Sequence, residues 1–426
     1  MSIRAQYPPM GWNSWDCYGA AVTEEQVRQN ADYMAKYMKP YGWEYVVVDI
    51  QWYQPTASSH AYEPFSELVM DEFGRLLPAP NRFPSAANGQ GFKPLADYVH
   101  ALGLKFGIHI MRGMPRMAAH RRLPILGFDA LCSDAADPNS ICAWNPDMYG
   151  LRADLPAARA YYDSIFRLYA EWGVDYVKCD DIAREYPRCR REIEIISEAA
   201  RACGRDIVLS LSPGPAPLEQ AEHLKTYANL WRITDDFWDD WRALRAMFER
   251  AAAWCTHAGP GHWPDADMLP VGALRQCYAN DGEGAPSGER SHNQWTHFTE
   301  AEQRTMMTLW CVMRSPLMVG AELTKNDDFT LRLLTNAEIL AIEKETWCAH
   351  PLYETEAECA WIAPRRDGKG CYVALFNLSD EPRRVALRTG ALETPMESAK
   401  ELWSGKTGPE ISADLGAHDA AVWRVG

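Results

Sequence analysis

The chain has 426 residues and carries 43 Lys and Arg against 58 Asp and Glu, a formal net charge of −15. That balance argues against nucleic acid or an anionic membrane surface as the partner, since both select basic proteins. Hydrophobic residues at 47% and charged residues at 24% are an ordinary globular mixture, and the length suits one large domain with a smaller one attached. No run approaches the ~18 consecutive apolar residues of a membrane-spanning helix. The opening stretch, Met1 to Trp15, has no apolar signal core, and the 12 Cys are scattered without CxxC or zinc-like spacing. Reduced thiols in a cytoplasmic protein are the expectation. The 17 Trp and 19 Tyr suit a carbohydrate site, but they also suit a core, and the count alone does not separate the two.

Strand-like and helical runs alternate through the first three-quarters of the chain. "PPMGW" reads as a first strand, followed by "TEEQ" at Thr23, which has the spacing of a capping box before Val27, Ala31 and Met34. "YVVVDI" (Tyr45–Ile50) follows, then a helical stretch from Phe92, then "LKFGIHI" (Leu104–Ile110). A helix over Pro156–Trp172 precedes "VDYVKCD", and "DIVLSLS", "NLWRITD", "GHWPDADML" and "PLMVG" complete eight strands. Continuous apolar strands between helices predict a parallel sheet covered on both faces. Eight such units predict a (β/α)8 barrel, although a doubly wound open sheet shares most of the pattern.

After about Glu345 the character changes to short strands with turn signals such as "RDGKG", "NLSDEP" and "SGKTG" between many of them. The expected organisation is therefore a catalytic barrel over residues 1–344 and a C-terminal antiparallel β-sandwich over 345–426. Two polar insertions, Arg112–Asp147 and Asn280–Gln294, are either surface excursions or loops lining the barrel mouth.

Polar residues at the carboxyl ends of barrel strands point into the catalytic mouth. Here these are Asp49, His109, Lys178, Asp180 and Asp181, then Arg232, Asp235, Asp236, Asp265 and Asp267. Two carboxylates facing each other across a sugar are what acetal hydrolysis requires, one at the anomeric carbon and one protonating the leaving oxygen. The same aspartates also suit two other roles, as helix caps and as oxygen ligands for magnesium or manganese. Zinc-hydrolase spacing, a GxSxG elbow, a Walker loop and a GxGxxG turn are all absent from the sequence.

Six stretches in order, "PPMGWNSWD", "YGWEYVVVDIQW", "GLKFGIH", "WGVDYVKCD", "LWRITDDFWDDW" and "GPGHWPDADML", resemble glycoside hydrolase family 27. "RSPLMVGAEL" and the C-terminal strands extend the resemblance to nearly the whole chain. That family comprises the retaining α-galactosidases and α-N-acetylgalactosaminidases, with a barrel followed by an antiparallel β domain. The resemblance implies Asp180 as nucleophile and Asp236 as acid/base. It implies Lys178, Arg232 and Asp49 as sugar-hydroxyl ligands and Trp15, Asp267 and Met268 as pocket wall. Asp181 and Asp235 are expected behind them. His109 stands at the family's strand-three aromatic position, and Ser212 resembles the smaller residue of the N-acetylgalactosaminidase type, with room for a 2-substituent. Two positions depart further. Ile50 replaces the second of two adjacent aspartates, and Gln51 replaces a disulfide cysteine.

The expectation is a retaining exo-glycosidase for terminal α-D-galactosyl residues of small or oligosaccharide glycosides, without metal or organic cofactor. α-N-Acetylgalactosaminidase and β-L-arabinopyranosidase are alternatives on the same scaffold, and an inactive carbohydrate-binding barrel is the alternative of another class. Oligomeric state is not read from the sequence.

Overall fold

The structure is a computed structural model that describes residues 4–58, 62–277, 294–388, 390–392 and 398–426. All of the second insertion except Gln294 lies outside these residues.

Eight parallel strands form one sheet: β1 (Met10–Asn13), β2 (Tyr45–Val48), β3 (Lys105–Met111), β4 (Tyr176–Asp180), β5 (Val208–Leu211), β6 (Leu230–Arg232), β7 (Trp263–Asp265) and β8 (Leu317–Val319). Their spatial order is β7-β6-β5-β4-β3-β2-β1-β8. The segment after β7 returns to β8, where Leu269 N donates to Met318 O at 2.7 Å, and this closes the sheet into a barrel. Each expected strand is present.

Seven of the strand-to-strand connections carry a helix where the parallel crossover requires one. They include α1 (Glu24–Tyr37), α2 (Lys93–Ala101), α3 (Pro156–Trp172), α4 (Arg190–Ala202), α5 (Ala221–Tyr227), α6 (Trp241–Trp254) and α7 (Glu300–Met313). After β8 come α8 (Asp328–Leu334) and α9 (Ala337–Glu345). The Thr23 capping box is present: its side chain accepts from Gln26 N, and Gln26 accepts from the Thr23 backbone. Val27, Ala31 and Met34 fall on one buried face of α1, as their spacing predicts.

The period of two along each strand sorts the barrel into layers. Tyr45, Tyr176, Val208, Leu230, Trp263 and Met318 pack together as an apolar floor inside it. Neighbours such as Val46, Val48, Ile108, Val177 and Cys179 turn outward into the core beneath the helices. Two residues further along the same inward rows stand Lys178 above Tyr176 and Arg232 above Leu230, and two further again Asp180. Register places His109 beside Lys178, and Arg232 beside Asp265. The polar side chains thus share one end of the barrel because the alternation that buries the floor also carries them there.

The insertion over 112–147 is ordered. Met114–Pro115 and Ala136–Ile141 pair on either side of Met148–Leu151 in a small antiparallel sheet, with short helices at Arg116–His120 and Cys132–Ala135. Arg112 anchors it, and its Nε donates to Asp181 O at 2.7 Å.

The C-terminal strands are antiparallel. A sheet containing Glu358–Pro364, Cys371–Asn377 and Ala420–Val425 stacks on the pair Arg383–Ala386 and Ser412–Leu415. Val373, Leu375, Val385 and Trp423 fill the space between them. Phe376, on the opposite face, meets Phe248 of α6 with ring centroids 4.9 Å apart. Arg304 of α7 pairs with Asp419 at 2.9 Å, so this domain sits on the barrel's outer helices.

Candidate active site

A cavity of about 180 Å³ opens at the polar end of the barrel and is lined by Trp15, Asp16, Asp49, Tyr62, Trp144, Lys178, Asp180, Arg184, Pro213, Arg232, Asp236, Phe237, Trp238, Asp267 and Met268. Asp180 is the last residue of β4 and is buried. His109 Nε2 lies 2.7 Å from its Oδ2, Ser212 Oγ donates to its Oδ1, and Lys178 Nζ stands 3.9 Å from Oδ2. Burial raises the Asp180 carboxyl, but Lys178, His109 and the two hydrogen bonds outweigh burial and hold it well below the usual carboxylate range. The site therefore keeps a bare carboxylate at the barrel mouth.

Lys178 is tied to Asp49, with Nζ donating to Oδ2 at 3.0 Å. Asn13 Nδ2 donates to the same oxygen at 2.7 Å, and Ile50 N donates to Oδ1 at 2.8 Å. Burial raises Asp49, yet Lys178 and His109 leave it lowered on balance.

Arg232 organises the opposite wall. Its Nη2 donates to Asp236 Oδ1 at 3.2 Å and its Nη1 meets Asp267 Oδ1 at 2.7 Å. Asp267 also accepts from Phe237 N at 2.8 Å. Burial, with Asp236 and Asp265 nearby, pushes the Asp267 carboxyl up to about 7 against the pull of Arg232. The Asp236 side chain is 58% exposed, in contrast to 12% for Asp180. A deep carboxylate and a shallow carboxyl group on one cavity are the two parts that glycoside cleavage needs.

Asp181, expected behind them, is buried and pairs with Arg112 at 2.9 Å, whereas Asp235 is at the surface, 60% exposed, accepting from Asp236 N at 2.9 Å and pairing with Arg184 at 2.8 Å. Aromatic rings cover the mouth. Trp15 stacks on Tyr62 with centroids 5.9 Å apart, and Tyr62 meets Trp144 at 5.3 Å.

Family profiles match most of the chain: "Alpha galactosidase A" over residues 7–148 and 147–281, and "Alpha galactosidase C-terminal beta sandwich domain" over 359–425. The α-galactosidase of Cyamopsis tetragonoloba is 28% identical over 428 residues, covering 98% of this chain and 86% of that one. Among solved structures, a family 27 β-L-arabinopyranosidase from Geobacillus stearothermophilus is 51% identical, with TM-score 0.94 and coverage of 99% of this chain and 97% of that one. The chain belongs to glycoside hydrolase family 27. It is a glycoside hydrolase, and its fold is the barrel and β-sandwich expected of that family. A Bacillus halodurans protein assigned as an α-N-acetylgalactosaminidase is 48% identical, with TM-score 0.87 and coverage of 100% and 98%.

Set in the family 27 barrel, eight of the ten expected site residues line the cavity: Asp180, Asp236, Trp15, Asp49, Lys178, Arg232, Asp267 and Met268. His109 and Ser212 do not. They are 0% and 1% exposed and sit behind Asp180, hydrogen-bonded to it. Both had been expected at the sugar. Both instead hold the carboxylate, because the inward rows of β3 and β5 reach Asp180 before they reach the cavity. Ile50 is buried in the apolar core at 1% exposure, and the Gln51 amide turns to Asp147 at 3.4 Å. Neither lines the cavity.

Sequence reasoning missed Asp16, Tyr62, Trp144, Arg184, Pro213, Phe237 and Trp238 as wall residues. Phe237 and Trp238 directly follow Asp236, and Trp144 is an apolar ring in a polar insertion, so both carried a signal. Tyr62 carried none.

Proposed function

We propose that this chain is a retaining exo-glycosidase whose preferred glycone is β-L-arabinopyranose, with α-D-galactopyranose second. The two sugars share their ring configuration, and the first lacks the 6-hydroxymethyl group. This reverses the order expected from sequence.

The observation that carries the choice is at the end of β2. Asp49 is held by Asn13, Lys178 and Ile50 N, ready to accept from ring hydroxyls. The next residue, where the resemblance implies a second aspartate, is a buried aliphatic side chain. Because Ile50 turns into the core, the end of β2 offers an exocyclic hydroxyl no carboxylate beyond Asp49, and an unpaired buried hydroxyl costs about 1–3 kcal/mol, or roughly ten- to hundredfold in kcat/KM. The Geobacillus stearothermophilus neighbour is named a β-L-arabinopyranosidase, and a variant of it has been solved in complex with arabinose. The more distant curated relatives named α-galactosidases support the galactoside as second glycone.

In this reading Asp180 attacks the anomeric carbon while Asp236 gives its proton to the glycosidic oxygen, and the aglycone leaves as an alcohol. A water then attacks the glycosyl–Asp180 ester as Asp236 takes a proton from it. Asp180 is released as carboxylate, and the sugar departs with its anomeric configuration retained. Asp49 and Lys178 grip hydroxyls on one edge of the ring, and Arg232 keeps Asp236 and Asp267 in place.

The test is kcat/KM for nitrophenyl β-L-arabinopyranoside and nitrophenyl α-D-galactopyranoside, before and after Ile50→Asp. The arabinoside leads in the wild type, and the ratio falls about tenfold or more in a variant that still folds. A galactoside lead in the wild type overturns the glycone assignment, and an unmoved ratio removes Ile50 as its cause. Failure to turn over any nitrophenyl glycoside supports a binding barrel instead.

A further inference from the structure

Asp16, the last residue of "PPMGWNSWD", lines the cavity but has no step in the displacement above. It is 3% exposed, and its Oδ2 is buried against Gly320 without a hydrogen-bond partner among the described residues. Buried polar groups are nearly always satisfied, so a carboxyl on the cavity wall that accepts no side-chain hydrogen bond among the described residues is open to one from a ligand in the cavity. Asp16 lies in the first turn of the short helix Trp15–Tyr18, but its side chain makes no capping bond there.

The fold goes out of its way to keep this carboxyl in place. A Cβ on Gly320, just past β8, would stand 2.0 Å from Asp16 Oδ2, so the carboxyl occupies space that only glycine leaves open. On the other side, Arg275 N donates to Asp16 O at 2.8 Å. The Arg275 guanidinium is engaged by Asp239, with Nη1 at 3.1 Å and Nη2 at 2.5 Å from its oxygens. Lys178, the other cation that acts on Asp16, is bonded to Asp49.

We propose that Asp16 is a specificity-determining residue of the glycone site, its carboxyl hydrogen-bonding one ring hydroxyl of the bound sugar. The proposal rests on the glycosidase reading of the cavity. Burial, with Asp267 nearby, pushes this carboxyl well above the usual carboxylate range, against Arg275 and Lys178. A carboxyl shifted upward takes a proton more readily than Asp49, which is shifted downward, and when protonated it has an O–H to give where Asp49 accepts. The pair then serves hydroxyl oxygens and hydroxyl hydrogens on the same ring.

The experiment compares wild type, Asp16→Ala, Asp16→Asn and Gly320→Ala on whichever nitrophenyl glycoside the wild type prefers, and on its 2-, 3- and 4-deoxy analogues. Asp16→Ala loses about ten- to hundredfold in kcat/KM on the parent glycoside but under threefold on one deoxy analogue, the one missing the partner hydroxyl. Asp16→Asn, which restores an N–H donor, recovers most of that loss. Gly320→Ala, which keeps the carboxyl but displaces it, repeats the same pattern. Equal losses on the parent and on every deoxy analogue overturn the proposal, whether read in Asp16→Ala or, if that variant does not fold, in Gly320→Ala. Because the wild type chooses the glycone, an error in the arabinose assignment leaves this test intact.

Discussion

Nε2 of His109 lies 2.7 Å from Oδ2 of Asp180, and no part of His109 reaches solvent. Its donor fixes one carboxylate oxygen while Ser212 Oγ fixes the other. The nucleophile is thus aimed from behind, which leaves its front face for the sugar. A hydrogen bond to a charged group is worth about 1.5–3 kcal/mol, so His109→Phe is expected to lower kcat roughly ten- to hundredfold with KM little changed. Steady-state kinetics check this. A loss carried entirely in KM would place His109 at the substrate instead.

Asp180→Asn is expected to abolish turnover in a folded protein, and Asp180→Gly to regain part of it with added azide or formate in the vacated space. Proton NMR of the first-formed sugar reports the anomer. Inversion would falsify the nucleophile assignment.

The same carboxylate predicts a pH dependence of stability. An unfolded aspartate titrates near 3.8, and in the folded chain Asp180 is held lower. The ionised form therefore contributes stability above pH ~4, and this is lost as pH falls through the folded value. Asp180→Asn lacks that contribution. The wild type's stability advantage over the variant, read as Tm by calorimetry, should be steady above pH ~5 and shrink below pH ~4. An advantage that grows on acidification contradicts the assignment.

Asp236 is expected to matter most where the leaving group is poor, because a good leaving group departs without a proton. Asp236→Ala should depress methyl-glycoside hydrolysis at least about tenfold more than dinitrophenyl-glycoside hydrolysis. Equal losses on both substrates point to binding.

Arg112 tests how the ordered insertion supports the site. It is 1% exposed, pairs with Asp181 at 2.9 Å and Glu192 at 3.4 Å, and donates to Ser140 at 2.9 Å. Removing one member of such a buried network costs about 3–5 kcal/mol. Arg112→Met is expected to lower Tm by several degrees and to weaken activity through the loop that follows Asp180. A variant as stable as wild type would show that the network is dispensable.

The eight strands were legible because barrel strands are buried on both faces and read as continuous apolar runs between amphipathic helices. The Thr23 cap was legible because its chemistry is local. The polar strand ends stood out for the same reason: a carboxylate that interrupts an apolar run needs an explanation. Two C-terminal strands, His350–Glu354 and Ser412–Leu415, were not legible, since few of their side chains are buried and the alternation is faint. Only the tertiary structure decided which strand-end residues face the sugar. His109 and Lys178 stand side by side in register, yet one lies behind Asp180 and the other lines the cavity, because barrel tilt and neighbouring side chains set which inward position reaches open space. Tyr62 joins Trp15 only through a loop whose path local sequence does not specify. The orphaned oxygen of Asp16 exists only because Gly320, 304 residues away, leaves room for it. Periodicity and local chemistry reside in the sequence, whereas partners distant along the chain are brought together by folding alone.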